Sequence, residues 1–167
     1  SDGTEKGTRR VTDFGVYSPF GNRFVEDSLG IEEIDEIGGR LVFRATDGLS
    51  PNQLWVSDGA PESTAPLGGL RLSCTFERRF VRAGGRVFLP ANGGLQGCAL
   101  WSTDGTAEGT RSFAACAVPS DCLFGAYQGS VLFLGQDRNG RELWLSDGTA
   151  RIKAEQAGAG TTVPAGL

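Results

Sequence analysis

The chain has 167 residues, 39% of them apolar, enough for one sizeable core and too many for a disordered chain. Its net charge of -4 argues against the clustered positive surface that nucleic acid or acidic lipid requires. No run approaches the ~20 apolar residues of a membrane-spanning helix, and 26 scattered glycines among Phe, Trp, Val and Leu predict short strands and tight turns.

Taken in chain order, SDGT opens the sequence at Ser1, and residues 1–14 read as an outer strand, roughly Gly7 to Phe14, belonging to a preceding unit. A start inside this phrase predicts a processed or excised piece of something longer. Then come EIGGRLVFRAT (36–46) with LWVSDGA from Leu54, RAGGRVFLPA (82–91) with LWSTDGT from Leu100, and AYQGSVLFLG (126–135) with LWLSDGT from Leu143. Each first phrase is a glycine-containing turn followed by an apolar strand, which predicts a hairpin. Each second phrase is a strand that turns at Asp-Gly into another. Trp55, Trp101 and Trp144 recur about every 45 residues, within the range of propeller blades and solenoid units.

Four antiparallel strands per unit follow; in the middle unit they are expected near 76–83, 86–91, 99–103 and 110–115. The predicted fold is all-β and β-propeller-like, one domain over 1–167. Three blades are placed at 31–70, 75–117 and 122–163, with the extra N-terminal outer strand at 1–14. Propellers have roughly 4 to 8 blades, so the ring is partial or completed by an oligomer. The outer strand is expected to join residues 123–146 of a second copy, or to follow missing blades in a longer parent.

The repeated phrase has a mechanical reading. Asp58, Asp104 and Asp147 can accept hydrogen bonds from amides two residues on, while Gly59, Gly105 and Gly148 supply the positive φ of the turn. Trp55, Trp101 and Trp144 are expected to fill the space between neighbouring blades.

LWVSDGA, LWSTDGTAEGT and RELWLSDGT resemble the ELWxxDGTxxGT repeats found in tandem in large secreted or surface-attached bacterial proteins. The resemblance covers most of the chain and implies a propeller-like scaffold outside the cytoplasm, with no general catalytic assignment. There are departures. Only Glu142 fills the leading Glu position, where Gln53 and Ala99 stand in the other copies; DGAPEST lacks the later Gly-Thr; the last copy runs on to Gly160 and Thr161.

The chain has no histidine, which removes the Ser-His-Asp triad, the Cys-His pair and the His metal site. Glu32, Glu33, Asp35 and Glu36 could form a carboxylate pair but read better as charged positions on a strand. The loops carrying Asp47, Asn52, Asp137, Asn139 and Glu142 are oxygen-rich without a full calcium-ligand series. The tryptophans could stack on sugars, although their place beside every turn favours packing. Two readings remain: a non-catalytic structural or interaction module of a secreted or cell-surface assembly, without cofactor or metal, and a carbohydrate- or calcium-binding, lectin-like propeller. The expected partner is a protein or a second copy that completes the propeller, not nucleic acid or membrane.

Four cysteines without His or CxxC read as disulfides, hence an extracytoplasmic compartment. The expected pairs are Cys74 with Cys98 and Cys116 with Cys122, the rival being Cys98 with Cys116. Aligning Gly38-Gly39 on Gly84-Gly85 sets EEIDEIGGR against RRFVRAGGR. Glu32 then matches Arg78, Glu33 matches Arg79 and Glu36 matches Arg82, predicting charge pairs between neighbouring blades. The rival is an anion site made by Arg78, Arg79 and Arg82.

Overall fold

The computed structural model describes residues 3–12, 30–46, 52–72, 74, 80–92, 98–115, 124–137 and 140–149. Eleven strands lie among them: β1 (Ile31–Ile37), β2 (Arg40–Ala45), β3 (Gln53–Ser57), β4 (Ala65–Arg71), β5 (Val81–Ala83), β6 (Arg86–Asn92), β7 (Cys98–Thr103), β8 (Arg111–Ala115), β9 (Phe124–Tyr127), β10 (Ser130–Asp137) and β11 (Gly140–Ser146). The described fold is all-β. Three two-residue turns seed it, with both central residues at positive φ: Gly38 and Gly39 (58° and 79°), Gly84 and Gly85 (54° and 73°), Gln128 and Gly129 (46° and 78°). That is the type I′ geometry whose twist matches the flanking strands.

The strands form three antiparallel meanders, β1-β2-β3-β4, β5-β6-β7-β8 and β9-β10-β11, here sheets 1, 2 and 3. None is closed on itself. The fourth strand expected in sheet 3 falls beyond residue 149, outside the described residues. The expected N-terminal outer strand is described as far as residue 12: residues 3–12 make a turn and a run that joins none of the three sheets of the same chain.

Side-chain alternation gives every sheet two faces, and the chain stacks them in order. Val42 and Leu54 of sheet 1 meet Val87, Leu89 and Ala91 of sheet 2 in one core cluster. Phe88, Leu100 and Phe113 of sheet 2 meet Val131 and Phe133 of sheet 3 in a second. Consecutive residues of β6 therefore serve different interfaces, which is why the strand is apolar throughout. Each fully buried Leu or Phe contributes roughly 1.5–3 kcal/mol.

The outer strands carry bulges opposite the Leu-Trp pairs, between Gln53 and Trp55 in the β3–β4 ladder and between Leu100 and Trp101 in the β7–β8 ladder. A bulge re-aims its side chains. In sheet 1 it turns Leu67 and Leu70 into the first cluster. In sheet 2 it carries Phe113, whose ring sits edge-on to both Phe88 and Phe133, each at 5.6 Å between centroids.

Candidate interaction surfaces

The Asp-Gly turns are the most repeated chemistry in the molecule, and they follow one bonding plan. Asp58 Oδ1 accepts from the Ala60 amide at 3.0 Å, Asp104 from Thr106 at 2.9 Å and Asp147 from Thr149 at 2.8 Å. The hydroxyl before each Asp closes the other side: Ser57, Thr103 and Ser146 accept from the Gly59, Gly105 and Gly148 amides, all at 3.0 Å. Thr106 and Thr149 also donate their hydroxyls to the aspartates, at 2.7 and 2.6 Å. Ala60 lacks that hydroxyl, and Ser63 bonds Asp58 in its place.

The same donors tune the acids. All three carboxyls are held below the usual aspartate range, Asp58 chiefly by the Ser63 hydroxyl, Asp104 by Thr106 and Asp147 by Thr149. The later glycine of DGTAEG has a steric reason, since a Cβ on Gly109 would lie 2.0 Å from the Asp104 carboxylate. The N-terminal turn repeats the plan. Gly7 donates to Thr4 Oγ1 as Gly109 does to Thr106 Oγ1, both at 3.0 Å. Thr8 Oγ1 donates to the Thr4 carbonyl as Thr110 does to Thr106.

Sequence reasoning placed the aspartates and glycines but missed the hydroxyls at 57, 103 and 146. Their signal was a Ser or Thr immediately before Asp in every copy. It also missed what lies beneath the turns. Each turn of a following sheet is seated on the sheet before it: Arg40 Nη1 donates to the Gly105 carbonyl at 3.1 Å, and Ser102 Oγ donates to the Gly148 carbonyl at 2.9 Å. The fit is close. A Cβ on Gly148 would lie 2.6 Å from Phe88, and one on Gly105 would lie 3.4 Å from Ile37. At sheet 1 the Gly59 carbonyl accepts from Arg9 Nη2 at 3.0 Å, so the N-terminal segment supplies the donor that a preceding sheet supplies elsewhere.

The tryptophans face backward in the stack. Trp101 packs on the first core cluster and Trp144 on the second. Trp55 stacks on Phe43 at 6.4 Å and is 9% exposed. A Cβ on Gly135 would lie 2.6 Å from Trp144, so a glycine opens the seat for that ring.

Of the charge matches, Arg82 Nη1 lies 3.3 Å from Glu36 Oε2 and 3.9 Å from Asp35 Oδ1, across sheets 2 and 1. Arg78 and Arg79 lie outside the described residues, so the two other matches and the anion site do as well. The acids matched to them meet a residue the sequence reading passed over: Arg44, 1% exposed, lies 3.3 Å from Glu33 Oε2 and 3.9 Å from Glu32 Oε2. Burial pushes the Glu33 carboxyl up, outweighing Arg44 and the Phe80 amide that also bonds it.

Cys74 and Cys98 form a disulfide; Cys116 and Cys122 lie outside the described residues. So do Asp47 and Asn139; in the loop that carries Asn52, the Asn52 backbone amide donates to Thr46 Oγ1 at 3.0 Å. Among the described residues no group of three or more Cys, Asp or Glu is placed to hold a metal, and no helix is long and apolar enough to cross a membrane.

Two apolar faces end the stack. The forward face of sheet 3 exposes Leu143 (66%), Leu145 (51%) and Tyr127 (43%), whereas the backward face of sheet 1 exposes Ile34 (59%) and Leu41 (36%) beside a buried cluster of Phe43, Ala45 and Trp55. No known family model, curated protein or solved structure matches the chain.

Proposed function

We propose that the chain is a non-catalytic, propeller-like interaction module of a secreted or cell-surface bacterial assembly, built from ELWxxDGT-type repeats. The observation that carries this reading is the seating of the Asp-Gly turns of sheets 2 and 3 on the preceding sheet, at Gly105 on Arg40 and Gly148 on Ser102. In sheets 2 and 3 the repeated motif is thereby spent on joining sheets, and Trp101 and Trp144 beside it on filling the joints. The turn carboxylates are occupied by their own amides and hydroxyls, which suits a mechanical role. The Cys74–Cys98 bond fits an oxidising compartment.

Thermal unfolding with calcium, with a chelator and across a glycan panel tests the reading. The expected melting temperature is the same in all arms. A rise that depends on calcium or on one sugar class would instead favour the lectin-like propeller.

A further inference from the structure

The three repeated turns carry a dipeptide that can react with itself. In Asp-Gly the glycine amide nitrogen, unhindered by a side chain, can bond to Cγ of the aspartate while one carboxyl oxygen leaves as water. Water then reopens the cyclic imide at either carbonyl, giving aspartate or isoaspartate. Nothing is oxidised or reduced, and the isoaspartyl main chain is one carbon longer. The attack requires the Asp-Gly peptide plane to swing toward the carboxyl, so it moves the glycine bodily. Restraints inside the turn are alike in all three copies: the glycine amide donates to the hydroxyl before the aspartate at 3.0 Å, and Oδ1 accepts from the amide two residues on. A difference in reactivity must come from what lies against the glycine.

Those surroundings are unlike. Gly105 and Gly148 are buried, and their carbonyls accept from Arg40 and Ser102 of the preceding sheet. A Cβ on them would lie 3.4 Å from Ile37 and 2.6 Å from Phe88, so neither glycine has room to swing. Gly59 is half-buried, a Cβ on it would meet nothing within 4 Å, and its carbonyl accepts from Arg9 of a segment that joins no sheet of the chain. The Asp58 beside it is exposed. We propose that Asp58-Gly59 is a site of spontaneous isomerisation, and that seating on the preceding sheet protects Asp104-Gly105 and Asp147-Gly148 from the same reaction. Conversion moves the carboxylate that the Ala60 amide and the Ser63 hydroxyl bond, and it lengthens the connection into β4, the strand that carries Leu67 and Leu70 into the first core cluster. Of the three repeats, the first is therefore the one that ages soonest. Asp2 and Asp47, which also precede glycines, lie outside the described residues.

The full chain is incubated near pH 6, folded in buffer and unfolded in guanidinium chloride, and peptide mapping with an isoaspartate-specific methyltransferase reads each position over time. In the denaturant the three turns should convert at similar rates, since no sheet then restrains them. In the folded chain Asp58 should convert at least about tenfold faster than Asp104 or Asp147, the ratio that a difference of about 1.4 kcal/mol in local opening produces. Arg40→Ala removes the donor to the Gly105 carbonyl and should raise conversion at Asp104 severalfold while leaving Asp147 unchanged. Far-UV circular dichroism should be unaltered in that variant, because Arg40 is exposed. Equal conversion of the three turns in the folded chain overturns the protection. Asp58 as inert as the other two, while the denatured chain converts, overturns the site. An Asp104 that stays inert in a folded Arg40→Ala chain overturns the role given to seating.

Discussion

An aspartate in a repeated surface turn invites a search for ligands, and here its bonds explain it without one. Asp104 accepts from the amide and the hydroxyl of the same residue, Thr106, and its Arg86 neighbour lies 3.7 Å away. Removing the carboxylate in Asp104→Ala is expected to lower unfolding stability by about 1–2 kcal/mol, the sum of two modest, partly exposed hydrogen bonds. Urea denaturation with the slope held constant measures it. The three turn aspartates also set a pH dependence. Their carboxyls titrate lower in the folded chain than in the unfolded one, so acidification protonates the unfolded chain first. Stability from these groups is whole above the ordinary aspartate pKa of about 3.9 and is lost as pH falls through their folded values. Glu33 runs the other way, its raised carboxyl weakening the fold as pH rises through it. Midpoints measured from pH 6 downward should therefore fall below about pH 4, and the Asp58→Ala, Asp104→Ala, Asp147→Ala triple variant should flatten that fall.

At the scale of the element, the I′ hairpins were legible because Gly-Gly and Gln-Gly between apolar runs leave few other conformations. The Leu-Trp and Asp-Gly spacing likewise fixed strands β3, β7 and β11. The bulges in β4 and β8 were not legible, because the register of an outer strand depends on what its neighbour sheet must receive, as Phe113 shows. Arg44 was missed for a similar reason: an arginine between Phe43 and Ala45 reads as a strand's wet face until the carboxylates of β1 are seen to cover it. One hairpin contact separates local from tertiary cost. Gly38 and Gly84 occupy the same turn position, yet a Cβ on Gly38 meets nothing, whereas one on Gly84 would lie 2.4 Å from the Gly129 carbonyl oxygen in the next sheet's turn. Gly38→Ala should cost about 1–2 kcal/mol for the left-handed backbone alone, and Gly84→Ala clearly more. Equal losses in equilibrium unfolding would mean that the two turns do not touch.

For the whole molecule, the sequence period announced a stack of like sheets but not the seats that join them, since Arg40 and Ser102 hold unlike positions in their units yet serve the same carbonyl role. The Cys74–Cys98 bond closes a separation of 24 residues, tying the connection after sheet 1 to the start of β7. The chain-entropy view assigns such a loop about 3 kcal/mol. The Cys74→Ser, Cys98→Ser variant should unfold at correspondingly lower urea and stay folded in its absence, because the two inter-sheet cores remain. The account's central claim, that the Asp-Gly turns of sheets 2 and 3 are seated on the sheet before them, is tested most directly by a double-mutant cycle between Phe88 and Gly148. Gly148→Ala drives a methyl to within 2.6 Å of the Phe88 ring, and Phe88→Ala vacates that space. The double variant is therefore expected to be more stable than the sum of the two single losses by at least about 0.5 kcal/mol; additivity within about 0.3 kcal/mol would contradict the seating.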